Sequence, residues 1–184
     1  MSKIGKIIWF TGLSGSGKTT LAGALRNELL GFGKTCEILD GDAVRSSLNR
    51  HLGFSRADIR ENNKLLAELA LEKSKKYDFV LVSAISPFRE DRAMARSLAG
   101  KNFIELFVDC SLEKCIERDV KGLYKKALAG EINNFIGVSA SNPYEIPENP
   151  DFAVKTVIEP MEESLSKLLA FLGFESSKIN IYES

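Results

Sequence analysis

GLSGSGKTT, residues 12–20, is the stretch that decides the fold, because it places three glycines and a lysine just after an apolar run, KIIWF at residues 6–10. The pattern G-x-x-x-x-G-K-[ST] between a strand and a helix is typical of a P-loop. In a P-loop, backbone N–H groups and the positive end of the helix converge on one anion. Glycines let the main chain bend tightly and approach phosphate oxygens closely. The stretch therefore predicts a binding site for a nucleoside triphosphate.

Two side chains of this loop are also predicted to contact the triphosphate or its metal ion. Lys18 is expected to reach the β and γ oxygens of the triphosphate, and the Thr19 hydroxyl is expected to bind Mg²⁺. A glycine-rich turn without a ligand is the alternative, and the strand and helix around the motif argue against it. The predicted triphosphate-binding residues are Gly12, Ser14, Gly15, Ser16, Gly17, Lys18, Thr19 and Thr20.

A second motif, LDGDAVR at residues 39–45, predicts an acceptor for the phosphoryl group. Asp40 and Asp42 follow a predicted strand, at the edge where open α/β sheets bind their ligands. Phosphoryl transfer to an alcohol needs a carboxylate that orients the hydroxyl and accepts its proton, and another can hold metal-bound water. Arg45 is suited to neutralising an acceptor phosphate through a bidentate contact. The alternative is that both aspartates only cap the following helix.

The rest of the chain predicts an α/β fold of three layers, with a mostly parallel sheet of about five strands between helices. Residues 119–150 are rich in Gly, Asn and Pro and predict a lid, within one domain at residues 1–172 that precedes a loose tail at 173–184. Strands are expected at residues 7–10, 35–39, 79–83, 103–108 and 153–157. Helices are expected at residues 20–33, ending at Gly31 or Gly33, at 55–76 with Ser55 as its cap, and at 161–172.

Charge and cysteine content exclude several classes of partner. Lys plus Arg and Asp plus Glu both number 25, so the chain lacks the positive field that binds a nucleic acid polymer or an anionic membrane. Three unevenly spaced cysteines, without a CxxC pair, argue against a disulfide framework or a zinc site and fit a reducing cytoplasm. We therefore expect a cytoplasmic protein that binds small molecules.

Several segments together resemble one enzyme family. They are GLSGSGKTT, LDGDAVR, LGFSRADIREN, SAISPFREDR, FVDCSLEKCIERDVKGLYKKALAGEI and PYEIPENPD. In this order and at these spacings they are similar to adenylylsulfate (APS) kinases, from about residue 6 to residue 151. Those enzymes use MgATP to phosphorylate the ribose 3′-hydroxyl of APS, which gives 3′-phosphoadenylylsulfate, and they are commonly homodimers.

The resemblance implies roles for individual residues of this chain. Asp40 and Asp42 would lie at the acceptor hydroxyl and the Mg²⁺ site, with Asp40 and Thr19 as the metal-binding pair. Phe54 and Phe135 would sandwich the acceptor base, because an aromatic face holds any base plane. Ser86 matches a serine that is described in the family as a phosphoserine intermediate, so it joins Lys18, Asp40 and Asp42 as a catalytic candidate. The other implied residues are Arg118 for ATP, and Asp42, Arg45, Asn62, Ile85, Ser86, Lys121 and Asn134 for the acceptor.

The basic stretch ERDVKGLYKK, residues 117–126, has two interpretations. A run of charges is usually a solvated surface. Beside a P-loop, its cations also suit a mobile lid that closes over the transferring phosphoryl group and excludes water. We expect the lid.

Departures from the family pattern cluster in the predicted acceptor pocket. Ile59 replaces an arginine, Ile136 a threonine and Leu128 another arginine, and NKL at residues 63–65 replaces IRR. Losing a guanidinium removes five donors and a charge. Arg60 would compensate only if the start of its helix shifted, because neighbouring helical positions point about 100° apart.

Three functions follow from these observations. APS kinase activity is the first. The second is phosphorylation of the 3′-hydroxyl of cytidine diphosphoramidate, which shares a ribose, a stackable base and a short anionic tail with APS. The third is a regulatory module that binds the nucleotide without an acceptor, and the two aspartates and the basic stretch argue against it.

Overall fold

A sheet of five parallel strands organises residues 4–174, the part of the chain that the computed structural model describes. The order of the strands is β2-β3-β1-β4-β5, so the strand that precedes the P-loop lies in the middle of the sheet. This confirms the predicted fold class. The strands are β1 at Lys6–Thr11, β2 at Cys36–Asp40, β3 at Phe79–Ser83, β4 at Phe103–Asp109 and β5 at Phe152–Lys155.

Helices cover both faces of the sheet because alternate residues of each strand point to opposite sides. In β1, Ile8 and Phe10 join one apolar cluster, and Ile7 and Trp9 join the other. The described helices are α1 at Lys18–Gly31, α2 at Gly41–Ser47, α3 at Arg56–Ser74, α4 at Arg89–Ala99, α5 at Leu112–Arg118, α6 at Leu123–Leu128 and α7 at Met161–Phe171, with a 3₁₀ turn at Gly100–Asn102. The first cluster lies against α1 and α7, and the second lies against α3 and α4.

Most predicted boundaries agree with the structure to within two residues. Ser55 caps α3 through a capping box with Asp58, as its position predicts. The predicted end of the fifth strand is two residues too late: the strand ends at Lys155, because the chain then turns and the N–H of Ile158 donates to the Lys155 carbonyl oxygen. Part of the predicted lid is helical, since α6 lies within it.

The predicted tail lies outside the described residues from 175 onwards. Phe174, in its second position, packs against Phe32 and Phe79, with ring centroids 5.0 and 5.9 Å away. Within residues 4–174, none of the helices has the length and apolar character that crossing a membrane requires.

Candidate active site

The turn between β1 and α1 forms the centre of the site. Gly12 passes so close to β4 that a Cβ there would lie 2.6 Å from the Val108 carbonyl oxygen. Lys18, the first residue of α1, folds back over the turn, and its Nζ donates to the carbonyl oxygens of Gly12 and Leu13 at 3.0 and 2.8 Å. Burial lowers the pKa of Lys18 to about 8, because the surrounding protein disfavours the ammonium form.

A cavity of about 510 Å³ runs across this turn. It extends from the ends of β2 and β3, on one side of β1, to the segment that follows β5 on the other side. The predicted site residues that line it are Ser14, Gly15, Ser16, Gly17, Lys18, Thr19, Thr20, Asp40, Asp42, Phe54, Ile85, Arg118, Lys121, Asn134 and Phe135.

Asp40 has two roles in the structure. Its Oδ1 accepts from the backbone N–H groups of Asp42 and Ala43 at 3.0 and 3.1 Å, so it caps α2 as the alternative interpretation held. Its Oδ2 accepts from the Thr19 hydroxyl at 3.1 Å, and that hydroxyl also lies 3.0 Å from Ser83 Oγ. The cap fixes the carboxylate in place beside the start of α1.

The donor set beside Thr19 fits a magnesium ion that is bound together with phosphates. Thr19, Asp40 and Ser83 contribute only oxygen atoms, the type of ligand that Mg²⁺ prefers. Within residues 4–174, no three His, Cys, Asp or Glu residues form a metal cluster. Mg²⁺ commonly binds through one or two protein ligands, phosphate oxygens and water, so this sparse set suffices.

Lys121 is one of the residues of the predicted lid that line the cavity. The ammonium of Lys121 donates to Asp42 Oδ2, which raises the pKa of the lysine. Tyr124 anchors the lid to the P-loop, since its hydroxyl donates to the Ser14 carbonyl oxygen at 2.9 Å. Lys125 and Lys126 are exposed and do not line the cavity, so for these two lysines the solvated-surface interpretation holds.

Phe54 and Phe135 both face the cavity, but their surroundings differ. Phe54 is 50% exposed, and the Arg45 guanidinium lies 4.2 Å from its ring centroid. Phe135 is half-buried and packs edge-on against Tyr124. Arg45 also donates to the Gly53 carbonyl oxygen and does not line the cavity, so the structure gives it a part in positioning Phe54.

Two further predicted acceptor residues lie behind the cavity wall. Asn62 is buried and accepts from Asn49 Nδ2 at 3.1 Å. Ser86 is 2% exposed, and its Oγ accepts from Trp9 Nε1 at 2.9 Å and donates to Asn63 Oδ1 at 3.0 Å. Neither residue lines the cavity. Their hydrogen bonds hold α3 and the loop after β3 in place, and their contact with the acceptor stays a prediction.

Two of the positions that depart from the family pattern, Ile59 and Ile136, lie in one apolar cluster. Ile59 is 2% exposed and packs in one cluster with Phe88 and Ile136. Arg60 forms an ion pair with Glu90 instead of taking the place of residue 59. Because the Ser55 cap fixes the start of α3, the shift that would let Arg60 compensate does not occur.

Sequence reasoning missed the far end of the cavity, at the segment after β5. Arg118 donates there to the Thr156 carbonyl oxygen at 2.8 Å, and the Thr156 hydroxyl donates to the Ser16 carbonyl oxygen at 2.9 Å. Since the carboxyl ends of parallel strands share one edge of a sheet, residues after a fifth strand are expected to reach the ligand. The unpredicted residues of this end are Thr156, Glu159, Met161 and Ser164.

Comparison with known proteins identifies the family. The model of the family described as adenylylsulphate kinase matches residues 4–155. The chain belongs to the adenylylsulphate kinase family. It is 51% identical over 170 residues to the adenylyl-sulfate kinase of Deinococcus deserti, covering 92% of each chain. It is 46% identical over 184 residues to that of Rippkaea orientalis, covering 98% of this chain and all of the other.

A solved structure of the same family agrees with the fold. The Mycobacterium tuberculosis APS kinase CysC in complex with AMPPNP and APS aligns with a TM-score of 0.87 and 43% identity. The alignment covers 92% of this chain and 98% of that one. The parallel sheet with the P-loop after its central strand is therefore the fold of this kinase family.

Burial of Ser86 generates a prediction about covalent chemistry. Because its hydroxyl is 2% exposed and already hydrogen-bonded, we expect no phosphoryl group on Ser86 after incubation of the protein with MgATP. Intact-mass and peptide mass spectrometry measure this, with protein incubated without ATP as the control. A phosphopeptide that carries Ser86 in more than a trace of the protein would contradict the assignment.

Proposed function

We propose that this protein transfers the γ-phosphoryl group of MgATP to the ribose 3′-hydroxyl of APS. The observation that carries the proposal is that the P-loop, with Lys18 and Thr19, lines the same cavity as Asp40 and Asp42. The relatives that are named adenylyl-sulfate kinases support the choice of acceptor.

The phosphate end of the reaction rests on main chain and cations. Backbone N–H groups of residues 12–18 bind the β and γ phosphates, and Lys18 leaves the Gly12 and Leu13 carbonyl oxygens to contact them. The buried hydroxyl of Ser16, which has no partner among the described residues, is available as a further donor. Thr19 and Asp40 would hold Mg²⁺, which neutralises charge on the phosphate oxygens when it is bound.

The acceptor end needs a base for the 3′-hydroxyl proton. Both carboxylate oxygens of Asp40 are engaged, by the α2 backbone and by Thr19, so Asp42 is the better base of the two. As the ribose oxygen bonds to the γ phosphorus, its proton passes to Asp42 and the bond from phosphorus to the ADP oxygen breaks. Lys121, already paired with Asp42, adds positive charge beside the transferring group.

The acceptor base and its tail meet a partly apolar wall. Phe54 and Phe135 supply the stacking faces, and Ile85 and Asn134 lie beside them. Ile59 brings no charge to this region, which is the observation that keeps cytidine diphosphoramidate as a second candidate acceptor. In both candidates the reacting group is the same ribose hydroxyl.

Acceptor-dependent release of ADP from MgATP tests the proposal directly. We expect turnover with APS, formation of the 3′-phosphate by mass spectrometry, and no more than background hydrolysis without an acceptor. Cytidine diphosphoramidate is assayed beside APS under the same conditions. A hundredfold preference in kcat/KM for the cytidine compound would replace APS as the acceptor, and no turnover with any nucleotide acceptor would favour the regulatory module.

The base role of Asp42 predicts the effect of Asp42→Asn. We expect kcat to fall by about 10²-fold to 10⁴-fold, because the amide keeps the shape but cannot accept the proton, while the Kd for ATP changes little. Steady-state kinetics and a nucleotide-binding titration measure the two effects. Glu117→Gln is the control, since it removes another exposed ion-pair carboxylate that does not line the cavity. An unchanged kcat in Asp42→Asn would move the base role to Asp40.

The lowered pKa of Lys18 predicts uptake of protons when nucleotide binds. At pH 8, about half of the free protein carries a neutral Lys18, and phosphate charge raises this pKa, so binding MgATP draws roughly half a proton per site. At pH 6.5 the lysine is already charged and the uptake falls towards zero. Calorimetry in buffers of different ionisation enthalpy measures the number of protons.

Two variants complete this test. Lys18→Met is expected to abolish the uptake at pH 8 and to cut kcat by several orders of magnitude, because the cation on the phosphates is lost. Lys114→Met changes a partly exposed lysine outside the cavity and keeps the wild-type uptake. Equal uptake at pH 6.5 and pH 8 in the wild type would show that another group titrates.

We further propose a cytoplasmic homodimer. The three cysteines, Cys36, Cys110 and Cys115, are buried free thiols, which suits a reducing compartment. The dimer rests on the resemblance to APS kinases, and light scattering of the purified protein measures its mass.

A further inference from the structure

The far end of the cavity contains a carboxylate, that of Glu159, which has no role in the proposed phosphoryl transfer. Glu159 lines the cavity with Thr156, Met161 and Ser164, in the segment between β5 and the first turns of α7. Thr156 attaches this segment to the middle of the P-loop, because its hydroxyl donates to the Ser16 carbonyl oxygen and its Cγ2 lies near Gly17. A bound nucleotide that follows the P-loop therefore passes directly beside it.

Sheet topology decides which part of the nucleotide reaches this end. Asp40 ends β2 and Asp42 follows it, at one edge of the sheet, whereas Glu159 follows β5, at the other edge. The P-loop follows β1, in the middle. For transfer, the γ phosphate must face the acceptor hydroxyl beside Asp42. The nucleobase of the triphosphate then leaves the P-loop in the opposite direction, towards Arg118 and Glu159, a step that rests on the proposed function.

The Glu159 carboxylate is held in one orientation. Its Oε2 accepts from the hydroxyl of Ser164, a residue that is 2% exposed, at 3.1 Å. Its Oε1 lies 3.5 Å from the Lys167 ammonium. Burial alone would raise the pKa of Glu159, but the Ser164 hydrogen bond and the Lys167 charge outweigh it and hold the pKa below its ordinary value. At neutral pH the group is therefore an anion that only accepts hydrogen bonds.

We propose that Glu159 selects adenine as the base of the phosphoryl donor by accepting a hydrogen bond from the 6-amino group. Guanine carries a carbonyl oxygen at that position, which would face the carboxylate and be repelled. A carboxylate can also clamp guanine through N1–H and the 2-amino group, but that contact needs both oxygens turned to the base. Here Oε2 accepts from Ser164 and Oε1 lies 3.5 Å from the Lys167 ammonium, so the two oxygens are not both turned to a guanine edge, whereas a single 6-amino donor needs only one remaining lone pair.

The test compares donors in the wild type and in Glu159→Gln. Wild-type kcat/KM is expected to favour ATP over GTP, and to fall about tenfold to a hundredfold with purine riboside triphosphate, which lacks the 6-amino group. In Glu159→Gln, whose amide can both donate and accept, the preference for ATP over GTP is expected to fall by at least tenfold. An unchanged ATP to GTP ratio in this variant, or a wild-type preference for GTP, overturns the proposal.

A matched variant and a binding measurement separate this proposal from the kinase function. Glu163→Gln removes the other carboxylate that pairs with Lys167, at 2.7 Å, but that carboxylate does not line the cavity, so the selectivity is expected to stay at the wild-type value. Loss of selectivity in Glu163→Gln would show that Lys167, and not Glu159, reads the base. Displacement of a fluorescent ADP by ATP, GTP and purine riboside triphosphate is measured without acceptor. A shifted binding ratio in Glu159→Gln supports the base contact even if no acceptor is phosphorylated.

Discussion

The close approach of the main chain at Gly12 to β4 is the constraint on which the site depends. A Cβ at residue 12 would lie 2.6 Å from the Val108 carbonyl oxygen, so any side chain would push the turn away from the sheet. That displacement would move the start of α1, and with it Lys18 and Thr19. Thr19 reaches Asp40 because β1 and β2 end at the same edge of one parallel sheet, with only β3 between them. The contact at residue 12 therefore sets the distance between the triphosphate site and the acceptor site.

Arg92 makes the wall behind the acceptor site rigid. It is 2% exposed, pairs with Glu105 at 2.8 Å, and donates to the carbonyl oxygens of Ser86 and Glu145 at 2.7 Å each. These bonds join α4, β4 and the two loops beside the cavity, and breaking a buried network of this kind is costly. The lid is attached differently. Its contact to Asp42 is an exposed ion pair, and such pairs contribute about 0–1 kcal/mol. Tyr124, which is 1% exposed and donates to the Ser14 carbonyl oxygen, holds the same segment to the P-loop more firmly than this ion pair does.

The sequence predicted the fold and the phosphate site well because both depend on local patterns. The alternation of apolar runs with segments of helical spacing predicted all five strands. The P-loop motif lies within nine consecutive residues, so it is visible in the sequence as one pattern. The acceptor site depends on the directions in which side chains point, and the spacing of residues along the sequence does not determine these directions. Ser86 directly follows Ile85, which lines the cavity, and Asn62 lies on α3 behind the cavity wall. Hydrogen bonds to Asn63 and Asn49 hold these two side chains in the protein interior. Glu159 was missed because a single acid after a weak strand has no motif of its own.

The distribution of charge along the cavity bears on where an anionic acceptor tail would bind. Among the described residues that line it, the cations are Lys18, Arg118 and Lys121, and the first two lie on the P-loop and the donor-base side. Ile59, buried against Ile136, adds none at the acceptor end. Positive charge for an anionic acceptor tail thus comes mainly from Lys121, which the lid carries. Lys121 is paired with Asp42, so the cation that would meet the proposed acceptor tail also lies beside the proposed base, and one contact links binding of the tail to placement of the base.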